Sequence, residues 1–361
     1  MLVESGCSFI MPSFGRSRLG GARMKKTVSG RLCATALLWL WPIVAMAQVQ
    51  ITISVPGPGA ASYLPISLIS KIGADRAENA QVRIQYVSGG GVAIQDMLSN
   101  NSEFAVLGLP AAMSARLKDP RIVALAAVND LPLYVLLVRQ GLRDKVRTVA
   151  DLRGRVIGVH SNSITTKTNS HQLIELLLRQ AGVPPDTVRF VAVGQRWSSE
   201  AAMLADGSAD AIMGDEPHAS RMVADKTAFQ LMHLGDPKTA AAIPGGSFLR
   251  GTLIGRLDRI EADPKKAEMM VRILRRTLAW VASHRPEEVI ELAGIEDPQE
   301  RRHMLETMRR YPRQYSADGR FSSRQLRDTE IFFRESQAGN RAAQELQIGS
   351  MVLDRWAGRK D

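Results

Sequence analysis

Strand-patterned and helix-patterned segments alternate along most of this chain, and that alternation restricts the fold to a few layered α/β arrangements. Val49-Gln50-Ile51-Thr52-Ile53-Ser54-Val55 places apolar side chains at every second position, as a half-buried strand does. Pro56-Gly57-Pro58-Gly59 breaks the pattern, and residues 63–72 then carry Leu64, Leu68 and Ile72 on one helical face. Residues 82–87 alternate again, Gly89-Gly90-Gly91 punctuates them, and a short helix with Ile94, Met97 and Leu98 inward follows. Residues 104–107 and 122–128 read as further strands. The expected product is a mainly parallel sheet with helices on both faces.

A second α/β unit follows the apolar run Leu131-Pro132-Leu133-Tyr134-Val135-Leu136-Leu137-Val138, which reads as a buried strand. It comprises strand 156–159, helix 170–180, strand 188–193, helix 199–205 and strand 209–213. Gly182 stands where a helix C-cap belongs, ahead of Pro184-Pro185. Beyond it the chain turns helical: 264–283 after an Asp263 cap, 286–293, 298–310 and 323–333. The domains expected are a leader at 1–47, one lobe made of 48–139 with 233–361, and a second, inserted lobe at 140–232. Roughly 310 residues after the leader suit two cores of about 150 each.

The leader reads as an export signal. From Met24, the probable start of translation, Lys25 and Lys26 precede an apolar stretch from Ala34 to Val44 and then Ala45-Met46-Ala47, a small-x-small cleavage pattern. Cleavage before Gln48 removes both cysteines, Cys7 and Cys33, so disulfides, thiol nucleophiles and cysteine metal sites are not expected. It also removes six basic residues and one acidic residue from totals of 47 and 36, leaving 41 against 35, a balance of +6. That balance suits anion steering or an ordinary solvated surface. The expected location is the periplasm.

Two loops share one physical design. Gly89-Gly90-Gly91 and residues 161–168, rich in Ser161, Ser163, Thr165 and Thr166, each follow a strand and precede a helix. A helix N-terminus offers unpaired N–H groups and partial positive charge, glycine admits a ligand to the backbone, and hydroxyls add adjustable donors. Simple capping by Ser and Thr, or a tight glycine turn, is the competing explanation. Asp215-Glu216-Pro217 ends a strand with two carboxylates whose side chains leave in opposite directions. Glu216 is the expected ligand-facing acceptor, a helix N-cap being its alternative. Pro58 sits in the first loop, and Tyr63 and Trp197 are candidate aromatic walls.

Enzyme signatures are sparse. Gly57-x-Gly59-x-x-Ser62 is an incomplete dinucleotide fingerprint, and no G-x-S-x-G elbow or P-loop lysine is present. The six histidines (His160, His171, His218, His233, His284, His303) show neither H-x-x-x-H nor H-E-x-x-H spacing, so neither a metal nor another cofactor is expected. The C-terminal arginines interleave with Met270, Leu274, Leu278 and Val281, which describes a solvated helix face over an apolar one rather than a nucleic-acid surface.

The stretch from Thr148 to Val159 (TVADLRGRVIGV), LADGSADA from Leu204 to Ala211, Asp215-Glu216-Pro217, and ADGRFSSRQL from Ala317 to Leu326 resemble periplasmic solute-binding proteins of ABC importers. The group most alike is the aliphatic-sulfonate, taurine, nitrate and thiamine-precursor type. The resemblance implies a type II periplasmic binding protein fold, two α/β lobes with a ligand cleft between them, closing by hinge motion. It implies a monomer that captures a small organic anion, a membrane permease as partner, and Gly90, Gly91, Gly108, Ser163, Thr165 and Glu216 near the ligand. The usual G-F-F-x-x-x-G-L is replaced here by residues 73–80, and the cysteine-rich motif of the thiamine-precursor synthases is missing. The alternatives are an exported enzyme of that branch with Glu216 as base, and a ligand sensor for a membrane kinase.

Overall fold

The computed structural model describes residues 48–57, 59–160 and 167–360. The leader, Pro58, and the hydroxyl positions Ser161, Ser163, Thr165 and Thr166 lie outside the described residues. Among the described residues no helix is long and apolar enough to cross a membrane.

Ten strands build two five-stranded sheets. β1 (Val49–Pro56), β2 (Ala80–Val87), β3 (Phe104–Gly108) and β4 (Ile122–Ala127) form most of the first. β5 (Tyr134–Arg139), β6 (Val156–His160), β7 (Arg189–Val193), β8 (Ala211–Asp215) and β9 (Ala228–His233) form the second, and β10 (Gly251–Arg256) returns to the first. The orders are β2-β1-β3-β10-β4 and β7-β6-β8-β5-β9. Each sheet carries one inverted strand: β10 runs antiparallel to β3 and β4, and β5 antiparallel to β8 and β9. These are the first strands after the chain crosses from one sheet to the other. Each crossing feeds its strand in from the end where the parallel strands finish.

Strand β5, expected in the first lobe, hydrogen-bonds within the second sheet, as does β9 up to His233. The fold therefore changes sheet between residues 128 and 133 and again between 234 and 250. Neither β9 nor β10 is legible as a strand: two of the six residues of β10 are glycine, which lowers β-propensity. Both are needed where they are. A Cβ at Gly251 would stand 2.0 Å from Asn129 Oδ1, and one at Gly255 would stand 2.9 Å from Ile260 Cδ1.

Both sheets are covered on both faces. Ile51, Ile53 and Val55 of β1 pack with Met270, Ile273 and Leu274 of the helix Pro264–Ser283, while Ala105 and Leu107 on the opposite face meet Ile94, Met97 and Phe333. In the second lobe, Leu136, Val159 and Met213 pack against Leu173, Ile174 and Leu177 of the helix Asn169–Gln180. Val135, Leu137 and Ile212 meet Leu204 and Met222 on the other side. The helix Ser323–Ser336 touches both lobes: its Phe332 joins the second lobe's core, and Leu326 and Phe333 join the first.

The long helix Pro264–Ser283 starts where the sequence puts it. Asp263 accepts the Lys266 N–H, Pro264 occupies the first turn, and Met270, Leu274, Leu278 and Val281 are buried. Its arginines stay on the outer side: Arg272 pairs with Glu78 and Glu268. An N-cap acceptor contributes about 1 kcal/mol, so Asp263→Ala should lower unfolding free energy by roughly that amount. Urea denaturation with an unchanged m-value checks it.

Candidate functional site

The two inverted strands decide what faces the gap between the lobes. In β5 the first residue, Tyr134, lies opposite Asp215, the last residue of β8. In β10 the first residue, Gly251, lies opposite Gly108, the last residue of β3. Tyr134 and Arg250 are thereby delivered to the carboxyl ends of the parallel strands, where ligands bind in open α/β sheets. A small cavity of about 20 Å³ lies there. Tyr63, Gly90 and Gly108 line it from the first lobe; Tyr134, His160, Asn169 and Gln195 line it from the second.

Asn169 supplies one of the contacts that join the lobes beside this cavity. Asn169, the first residue of its helix, sends its side chain into the other lobe, where Oδ1 accepts the Ala111 N–H at 2.9 Å. Ala111 lies in the first turn of the helix Leu109–Arg116, so the carboxamide satisfies one of the N–H groups that a helix start leaves open. Gly108 makes this approach possible. A Cβ on Gly108 would stand 1.9 Å from Asn169 Nδ2. The backbone of Gly108 is ordinary extended chain, φ −68° and ψ 133°, so the requirement for glycine is steric. The Ala61 N–H adds a second lobe-to-lobe bond, donating to the Glu216 carbonyl at 3.2 Å.

Behind the cavity lies a buried ion pair. Arg250, 1 % exposed, donates through Nη2 to Asp215 Oδ2. The guanidinium lies over the Tyr134 ring at 4.2 Å from its centroid, with Tyr63 on another side at 6.0 Å. Burial by itself raises the Asp215 pKa, but the charges of Arg250, His160 and His218 outweigh it and hold the carboxyl below the usual range. Burial likewise pushes the Tyr63 and Tyr134 hydroxyls up, so both stay protonated donors. Next to this pair His160 Nε2 lies 3.5 Å from Glu200 Oε1. Glu200 reaches that position from the first turn of the helix Trp197–Ala205 and passes Gly214, where a Cβ would come within 3.3 Å of Oε2.

The candidates singled out by sequence scatter around this centre. Tyr63, Gly90 and Gly108 line the small cavity. Gly91 faces a separate, larger hollow of about 400 Å³ with Lys118, Lys167 and Asn340. Trp197 packs beneath Arg221, whose guanidinium lies 3.6 Å from the ring centroid. Arg221 itself reaches Asp297 of the other lobe at 3.0 Å. Glu216 is engaged inside its own lobe: its carboxylate accepts the Ser220 N–H at 3.1 Å, the Ser220 hydroxyl at 2.8 Å and pairs with His233 Nε2 at 3.0 Å. The carboxylate is thus tied to the first turn of the helix His218–Ala224, whose N-cap is Pro217, and its neighbour Asp215 is the carboxylate that meets Arg250.

Tyr134, His160, Asn169, Gln195 and Arg250 are not among the ligand contacts that the sequence suggests. Tyr134 hides in an apolar strand run, and Arg250 stands alone beside a glycine. Only Asn169 carries a local signal, as a polar residue opening a helix after the hydroxyl loop.

Solved structures of this shape are numerous. A protein from Bordetella bronchiseptica RB50 superposes with a TM-score of 0.76 at 19 % identity, covering 86 % of this chain and 96 % of its own. The alkanesulfonate-binding protein SsuA from Xanthomonas axonopodis pv. citri, bound to MOPS, gives 0.66 at 15 %, with 86 % and 100 % covered. The desulfurization enzyme DSZB gives 0.55 at 16 %, with 86 % and 98 % covered. No curated protein matches. The fold is thus that of the periplasmic binding proteins, two α/β lobes around a central gap. Residues 76–289, well over half of the sequence, match the family described as NMT1/THI5 like, and the chain belongs to that family.

Proposed function

We propose that this protein is the periplasmic receptor of an ABC importer, and that it captures a small organic acid by closure of its two lobes and delivers it to a membrane permease. The observation that carries the reading is the ring of polar groups from both lobes around one small cavity at the carboxyl ends of the strands. The cavity holds about one water, so an acid of sulfonate or carboxylate size enters only when the lobes part. Asn169 and the first turn of the helix Leu109–Arg116 then become free to take an anionic group, which a helix N-terminus favours. The likeness to an alkanesulfonate-binding protein supports this ligand class.

The likeness to a desulfurization enzyme favours the enzyme alternative. Glu216, the base that alternative would use, already accepts three hydrogen bonds within its lobe, which supports a structural role for it. A thermal-shift panel of small sulfonates, carboxylates and pyrimidine acids separates the readings. A binder present at 100 times its Kd should stabilise the protein by about 2.7 kcal/mol without being consumed. A panel in which no acid shifts the melting temperature while a nucleotide or flavin cofactor does would overturn the proposal.

A further inference from the structure

Beside the inter-lobe pocket, three buried side chains from three separate elements converge, and two of them, His160 and Glu200, present atoms with no hydrogen-bond partner among the described residues. His160 ends β6, Glu200 lies in the first turn of the helix Trp197–Ala205, and Asp215 ends β8. They are 1 %, 0 % and 2 % exposed. One donor atom from each lies within 4.8 Å of the other two. Among the described residues, both oxygens of Glu200 and Nε2 of His160 are buried with no hydrogen-bond partner, and so is Nδ1 of His218, 4.0 Å from Glu200 Oε2.

A carboxylate so placed is costly unless a cation sits beside it. Arg250 is the guanidinium at the site and is bound to Asp215 Oδ2. The cluster thus sets two carboxylates, Glu200 and Asp215, against one guanidinium.

We infer that His160, Glu200 and Asp215 form a binding site for a single divalent transition-metal cation of the zinc class. Imidazole nitrogen with two carboxylate oxygens is a donor set such ions accept. Two ligands at about 2.0–2.2 Å from a tetrahedral ion stand roughly 3.3–3.6 Å apart, and the 3.5 Å between His160 Nε2 and Glu200 Oε1 matches. Arg250 holds one oxygen of Asp215 and leaves the other for the ion, an outer-shell arrangement of the kind that orients metal ligands. Three protein ligands leave a fourth position open, and His218 Nδ1 lies 4.0 Å from Glu200 Oε2. Sequence spacing could not show this, since the residues are 40 and 15 positions apart. The site requires no organic ligand, so it stands independently of the receptor reading.

The test uses the whole mature protein, tag removed and stripped with EDTA, titrated calorimetrically with zinc chloride and, separately, manganese chloride. Metal content after dialysis is measured by plasma mass spectrometry. One equivalent of zinc is expected, retained by His284→Gln, which alters a histidine elsewhere in the fold. His160→Gln and Glu200→Gln, each checked for native circular dichroism, should weaken binding at least 100-fold; should one fail to fold, the other decides. Absence of stoichiometric binding by the wild type would overturn the site. Stoichiometric binding that the folded variant keeps would place the ion elsewhere and overturn it equally.

Discussion

Arg250→Met is expected to cost about 3–5 kcal/mol of stability, the largest effect of any single change discussed here. The substitution keeps an unbranched side chain of similar reach between Tyr63 and Tyr134, so little of the loss comes from packing. It leaves Asp215, 2 % exposed, buried without the guanidinium that neutralises it. Asp215→Asn together with Arg250→Met should cost less than the two single changes combined, because neither stranded charge then remains. Chemical denaturation of the four proteins in this cycle measures the coupling.

The same pair sets a pH dependence with a definite sign. Asp215 has a folded pKa held below its unfolded value, burial being outweighed by Arg250, His160 and His218. The stability it contributes is therefore fully present above the unfolded value of about 3.9 and is lost as pH falls through the lower, folded value. The gap in unfolding free energy between wild type and Asp215→Asn should hold from pH 7 to about 4.5 and close below. A gap that instead opened as the solution became more acidic would show that the carboxyl is not held ionised by its partners.

Gly108→Ala is the second large effect, and it falls on closure rather than folding. Its new methyl would occupy the position that Asn169 takes against the first lobe, 1.9 Å from Nδ2. Asn169 must withdraw, the Ala111 N–H loses its acceptor, and the lobes part. Affinity for a bound acid should fall roughly 10- to 100-fold, the equivalent of about 1.4–2.8 kcal/mol against the closed form. Each lobe keeps its own core, so the melting temperature without ligand should move little. Adding Asn169→Ala removes the clash, so Gly108→Ala should have little further effect in that background. Small-angle scattering should show a larger radius of gyration for Gly108→Ala alone.

Features encoded by neighbouring residues were the legible ones. The helices Pro264–Ser283 and Pro298–Arg310 begin where proline follows Asp263 and Asp297, because capping acceptors and a first-turn proline act over three or four residues. The same holds for β1, whose alternation shows in seven consecutive residues. What long-range geometry sets was not legible. Asn169 meets Ala111 from 58 residues away, and Arg250 meets Asp215 from 35. Nothing beside Arg250 shows that β10 enters its sheet antiparallel and so places that guanidinium between the lobes. Adjacency did show that Asp215 and Glu216 point apart. Which of them faces the other lobe depends on the pairing of β8 with β5, a register no local pattern contains.

The central claim is closure of two lobes on a small acid, and a distance across the gap tests it most directly. Residues 48–361 contain no cysteine, so Lys118→Cys in the first lobe and Arg153→Cys in the second can each carry one spin label. Pulsed electron resonance on this pair should give a broad, longer distance distribution for stripped protein and a single shorter one once an acid from the panel is bound. An acid that binds tightly while the distribution stays unchanged would contradict the account.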